Sequence, residues 1–133
     1  MNPDQRPIIM AVDDDPVLLN MTVGLLRRDY RLRPFTSGRM AFKYLALPGP
    51  RPDLVLLDYQ MPEMDGPEVW RRLQTEAATR NIPVVFMTGL DDLRSASELL
   101  ARGAAAFIAK PPRSAELLSV LRSILPESSE DRG

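Results

Sequence analysis

Three consecutive carboxylates, Asp13, Asp14 and Asp15, follow a short apolar run, and a fourth, Asp58, closes the run LVLLD. Two later apolar runs end in Thr88, followed by Gly89, and in Lys110, followed by Pro111. Carboxylates gathered within a few ångströms repel one another unless a positive charge intervenes, and a hard divalent cation is the natural candidate. Magnesium suits such a set, because it takes a few carboxylates and fills its octahedron with water and phosphate oxygens. A hydroxyl and an ammonium on the same rim would complete a clamp for an anion with several oxygens. A carboxylate of ordinary pKa is ionised at neutral pH, so such a group can act as a nucleophile without a general base. Phosphoryl transfer asks chiefly for positioning and charge neutralisation, and both are on offer here.

These groups meet only if the runs that carry them are neighbouring strands. The runs Ile8–Val12, Arg31–Phe35, Leu54–Leu57, Ile82–Met87 and Ala105–Ile108 are short and rich in branched or aromatic residues, as buried parallel strands are. Helical spacing fills the intervals, with readable ends. Asp15-Pro16 caps Val17–Asp29, Ser37 caps Arg39–Leu47, and Asp65-Gly66-Pro67 opens Glu68–Ala77. Asp91 or Asp92 caps Leu93–Arg102, which Gly103 stops, and Ser114 heads Ala115–Leu125. Five such βα units predict an α/β fold, a doubly wound five-stranded parallel sheet flanked by five helices. Pro34 cannot donate to a ladder, which sends the second strand to an edge and favours the order 2-1-3-4-5. In that order the strand sequence reverses between the first and third strands, where ligands of open α/β sheets bind.

Composition narrows the chemistry further. With 133 residues, 44% of them hydrophobic and 26% charged, the chain suits one globular domain. A net charge of −1 with scattered Lys and Arg gives no basic face, so neither nucleic acid nor a membrane surface is expected as a direct partner. The absence of cysteine removes disulfides, thiolate metal sites and thiol nucleophiles, and suits a cytoplasmic protein. There is no histidine either, so any histidine chemistry must come from a partner. No apolar run is long enough for a signal segment or a membrane span. Expected boundaries are an N-terminal extension at 1–6, a domain at 7–125 and a polar tail or linker start at 126–133.

Four segments in order, VDDDP, LLDYQMPEMDG, MTG and GAAAFIAKPP, resemble the receiver domains of bacterial two-component response regulators, over about residues 7 to 125. The resemblance implies a flavodoxin-like, chemotaxis-type fold and a phosphoprotein in which Asp58 accepts a phosphoryl group. The donor would be a sensor histidine kinase or a histidine phosphotransfer protein. It implies Mg²⁺, with Mn²⁺ as a substitute, held by Asp13, Asp14, Asp58 and the backbone carbonyl of Gln60, with Asp14 a more direct ligand than Asp13. Thr88 and Lys110 would bind the phosphoryl oxygens, and Phe107 would be the aromatic whose rotamer follows phosphorylation. The readout would be a changed surface on the fourth helix, fifth strand and fifth helix, acting on an effector protein or a linked output domain. The same surface would serve any homodimer. Such a chain is a signalling phosphoacceptor that catalyses only its own phosphorylation and dephosphorylation. A cis bond between Lys110 and Pro111 is also implied.

Plainer readings stand beside these. Asp15 and Asp65 read more simply as helix caps than as ligands. Phe107 alone would be core, Thr88 an ordinary strand threonine and Lys110 a solvated lysine. Along the first helix, Leu18, Met21 and Leu25 have core spacing. Leu19, Val23 and Leu26 form a second stripe, either covered by neighbouring helices or docking a phosphotransfer partner. Asp13-Asp14-Asp15-Pro16-Val17 also satisfies the D-x-D-x-V signature of haloacid-dehalogenase-type phosphatases, with Asp13 as nucleophile and Asp15 as acid/base. That alternative leaves LLDYQMPEMDG unexplained. A degenerate, binding-only receiver is a third reading.

Overall fold

The computed structural model describes residues 5–89 and 93–125. Five strands, β1 (Ile8–Val12), β2 (Arg31–Phe35), β3 (Leu54–Asp58), β4 (Val84–Thr88) and β5 (Ala106–Ala109), alternate with five helices. The helices are α1 (Pro16–Leu26), α2 (Gly38–Leu45), α3 (Gly66–Thr75), α4 (Leu93–Ala101) and α5 (Ser114–Ile124). All pairings are parallel and the order is β2-β1-β3-β4-β5, as the sequence predicts. The proposed capping residues Asp91 and Asp92 and the tail at 126–133 lie outside the described residues.

Alternation along each strand divides the core into two layers. Ile9, Ala11, Leu54, Leu56, Val85 and Met87 face α1 and α5, where Leu19, Leu26, Leu117 and Leu121 meet them. Met10, Val12, Val55, Leu57, Val84 and Phe86 face the other way, onto Ala41, Leu45, Val69, Leu73 and Leu99. Because the three central strands β1, β3 and β4 are covered on both faces, they are apolar up to their last residues rather than alternating. Each fully buried Leu, Ile or Phe contributes about 1.5–3 kcal/mol.

Local chemistry sets most ends. Asp15 caps α1 by accepting from the Val17 and Leu18 amides at 3.0 and 3.3 Å, Ser37 accepts from Met40 N at 3.2 Å, and Asp65 accepts from Glu68 N at 3.0 Å. Gly103 follows α4 with φ at 121°, a left-handed conformation that glycine adopts without strain. Helix α1 ends at Leu26, short of the expected Asp29, and the Arg6 guanidinium donates to the Arg27 and Arg28 carbonyls just beyond it. In β2 the Arg31 amide donates to Pro7 O and Phe35 O accepts from Asp13 N, so the odd-numbered residues bond β1. Pro34 therefore faces outward, where its missing N–H costs no ladder bond and leaves the edge with fewer donors.

One expectation on α1 is overturned. Leu19, Thr22 and Leu26 are the buried residues of this helix, whereas Met21 is 51% exposed and Val17 69% exposed. The second stripe is thus largely core, as its reading as a stripe covered by neighbouring helices has it, and the docking reading fails for Leu19 and Leu26, which share a buried cluster with Leu117 and Leu121 of α5. Periodicity gave the spacing, and the position of α5 chose the phase.

Candidate functional site

Strand register assembles the rim. Val12 pairs with Leu57, so Asp13 and Asp58, the next residues of β1 and β3, emerge side by side. Asp58 pairs with Met87 on its other flank, which sets Thr88 one step further along the adjacent strand. Thr88 pairs with Ala109, and Lys110 N donates to Thr88 O at 2.8 Å, which brings the lysine to the same rim. The Lys110–Pro111 bond is cis, as the resemblance implies.

Carboxylate oxygens of Asp13, Asp14 and Asp58 lie within 4.8 Å of one another. Asp13 is 3% exposed and Asp58 2% exposed, while Asp14 stands open to solvent. Asp13 Oδ1 accepts from the Asp15 amide at 2.9 Å, and Lys110 Nζ forms an ion pair with Asp58 Oδ1. Among the described residues, Asp13 Oδ2 and Asp58 Oδ2 are buried side-chain oxygens with no hydrogen-bond partner. Orphaned anionic oxygens are costly to bury, and two of them on members of one three-carboxylate cluster fit a cation. Burial pushes the Asp58 carboxyl up from the ordinary 3.8 to about 7. Its hydrogen bond and ion pair with Lys110 oppose that rise, and the neighbouring Asp13 and Asp14 reinforce it.

The other expected residues fall nearby in different states. Gln60 borders a pocket of about 420 Å³ that Asp14, Met61, Pro62 and Asp65 also line. Thr88 is wholly buried, and its hydroxyl donates to Gly89 O at 3.1 Å rather than to a carboxylate. Phe107 is half-buried against the α2–α3–α4 layer and pairs across the sheet with Phe86. Asp15 and Asp65 are helix caps, the simpler of their two readings.

Sequence reasoning missed Gly66. Its amide donates to Tyr59 O at 2.9 Å, and a Cβ at this position would collide with Asp58 O and crowd Tyr59 Cα. Only a residue without Cβ lets the first turn of α3 close against the backbone of Asp58. The Asp-Gly pair signals a turn, yet nothing local reveals what the glycine must clear. Tyr59 was also passed over. Its ring packs edge-on against Phe86 at 6.0 Å, and Trp70 does the same at 6.4 Å, so three aromatics form one cluster centred on Phe86 of β4.

An open 2-1-3-4-5 sheet with acids and a lysine on its carboxyl rim defines a flavodoxin-like domain with a phosphate-compatible switch point. Residues 9–122 match the family described as response regulator receiver domain, and the chain belongs to that family. Among its relatives, Two-component response regulator ORR11 of Oryza sativa subsp. indica is 31% identical over 121 residues, covering 90% of this chain and 82% of that protein. DNA-binding dual master transcriptional regulator RpaA of Synechocystis is 31% identical over 120 residues, covering 90% of this chain and 49% of RpaA. Of solved structures, chemotaxis response regulator CheY4 of Vibrio cholerae aligns at a TM-score of 0.80 and 25% identity, covering 90% of this chain and 99% of that one. The signal receiver domain of a signal transduction histidine kinase from Syntrophus aciditrophicus aligns at 0.76 and 34% identity, covering 92% and 96%.

This is a receiver domain of two-component signal transduction, and hence a signalling protein that works with histidine kinase or phosphotransfer partners and with an output. The phosphatase alternative finds no support. Asp15, its required acid/base, has Oδ1 committed to the α1 cap. None of the described helices is long and apolar enough to cross a membrane.

Proposed function

We propose that Asp58 is the phosphoacceptor, that Asp13, Asp14, Asp58 and the Gln60 carbonyl hold Mg²⁺ or Mn²⁺, and that Lys110 and Thr88 receive the phosphoryl oxygens. The observation that carries this reading is the pair of buried, partnerless oxygens on Asp13 and Asp58 beside the Lys110 ammonium. When bound, the cation would neutralise the carboxylates and the incoming phosphoryl charge. Asp58 Oδ attacks the phosphorus of a partner's phosphohistidine whose ring is protonated on its other nitrogen; the new P–O bond forms as the P–N bond breaks, the bonding pair returns to the ring nitrogen, and neutral imidazole leaves. Lys110 Nζ, already on Asp58 Oδ1, holds the acceptor in place and moves its charge to the phosphoryl oxygens. Phosphorylation adds about −1.5 to −2 charge and three strong acceptors. Thr88 then has reason to leave Gly89 O for a phosphoryl oxygen, which frees space for the Phe107 ring.

Residues 7–125 form the receiver unit, with 1–6 as an extension and 126–133 as a polar tail or linker start. The chain acts only on itself, in the cytoplasm, without contacting nucleic acid or membrane. Its α4–β5–α5 face contacts the output or a second copy. The test is intact mass after incubation with Mg²⁺ and acetyl phosphate. One phosphate adduct that requires Mg²⁺ and disappears in Asp58→Asn is expected; an adduct that survives Asp58→Asn overturns the assignment.

A further inference from the structure

Asp65 lies outside the three-carboxylate cluster, yet it shares a pocket of about 420 Å³ with Asp14. The other lining residues, Gln60, Met61 and Pro62, carry no charge, so two carboxylates face this space with no cation among its lining residues. The chain reaches Asp65 through a turn in which Glu63 takes the left-handed conformation, with φ at 67°. One oxygen, Oδ1, accepts from the Glu68 amide, and the residue as a whole is exposed. A neutral amide donor does not cancel a carboxylate's charge. Asp14 belongs both to this pocket and to the three-carboxylate cluster with Asp13 and Asp58, so the exposed Asp65 carboxylate borders the space that opens onto that cluster.

We propose that Asp65 has a second role besides capping α3: it draws the divalent cation into the rim pocket and holds back small anionic phosphodonors. The inference rests on the cation reading given above. Physically it asks for two effects of opposite sign from one charge. A carboxylate at the mouth raises the local concentration and affinity of a divalent ion. The same carboxylate repels an acyl phosphate arriving from solvent, which favours donors that a protein partner delivers by docking over free ones.

Asparagine caps helices as well as aspartate does, so Asp65→Asn removes the charge and spares the cap. Titration calorimetry with Mg²⁺ is expected to show a Kd raised about three- to five-fold in Asp65→Asn at low ionic strength, with the difference collapsing at high ionic strength as screening shortens to a few ångströms. The metal-free Tm should match the wild type. At saturating Mg²⁺ the KM for acetyl phosphate should fall in the variant. Asp65→Ser, which also caps, should behave like Asp65→Asn.

A Kd equal to the wild type at low ionic strength overturns the proposal. So does an increase that persists at high ionic strength, because that would assign Asp65 to loop geometry alone, and so does a raised KM. Asp14→Asn separates the two layers of the argument. If it abolishes Mg²⁺ binding while Asp65→Asn leaves binding unchanged, only the role of Asp65 fails. If Asp14→Asn has no effect, the cation reading of the whole rim fails with it.

Discussion

Strand β3 is bracketed by two aspartates that meet opposite fates. Asp53, at its entry, accepts the Ile8 amide at 2.8 Å and donates its own amide to Ile8 O at 2.7 Å, tying β3 to β1. Asp58, at its exit, keeps one oxygen without a hydrogen bond while almost wholly buried. The entry end is closed in the same manner elsewhere: Arg51 donates to Leu45 O, the last carbonyl of α2, and Arg6 to the carbonyls beyond α1. At the amino end of the sheet polar groups complete one another, and at the carboxyl end they are held incomplete. Unsatisfied polarity at one rim is what a ligand can satisfy, and the closed opposite end supplies stability to hold it.

The sharpest challenge to this contrast is Gly66→Val. Its side chain would press on the backbone of Asp58, which cannot yield as a flexible side chain can, and unfolding in denaturant should show a loss of about 3 kcal/mol. On the proposed assignment of Asp58 as phosphoacceptor, phosphorylation should slow as well.

Next in size is Asp58→Asn, whose sign depends on pH. The folded carboxyl titrates at about 7 against an ordinary 3.8, so the folded state holds its proton more tightly. The stability this confers is present below about pH 4 and is lost as pH rises through about 7. Without metal, Asp58→Asn should therefore gain on the order of 2 kcal/mol relative to the wild type between pH 5 and pH 8. Thermal melts in chelator at the two pH values read this directly, and an unchanged difference would mean that Asp58 is not strained.

Asp53→Ala should do the reverse, losing about 1.5 kcal/mol at neutral pH by stranding the Ile8 amide. Were it as harmless as Asp58→Asn, the two ends would not differ in kind. The smallest effect belongs to Arg51→Ala, which removes an exposed donor from Leu45 O: about 0.5 kcal/mol in denaturant, with phosphate uptake unchanged.

Much of this was legible in the chain itself. Strand β1 and β2 limits, the caps at Asp15, Ser37 and Asp65, and the edge position of β2 follow from rules that act within a few residues. The candidate acids were legible for the same reason, because each sits at the end of an apolar run and the fold class sends all those ends to one rim. Less legible were features that depend on a neighbour distant in sequence. Two stripes of α1, Leu18, Met21 and Leu25 and Leu19, Val23 and Leu26, compete in the sequence for the buried face, because a helical period has no preferred phase until Leu117 and Leu121 of α5 arrive.

What the sequence determined by itself, then, is the order of elements and the identity of the rim residues, since propensity, capping and patterning are local. What only the tertiary structure decided is how each rim residue is engaged: Lys110 on Asp58, Thr88 on Gly89 O, Gly66 against the Asp58 carbonyl, and two oxygens left without partners. Hydrogen bonds and close contacts depend on distances between segments tens of residues apart, and those distances are fixed only when both core layers have packed.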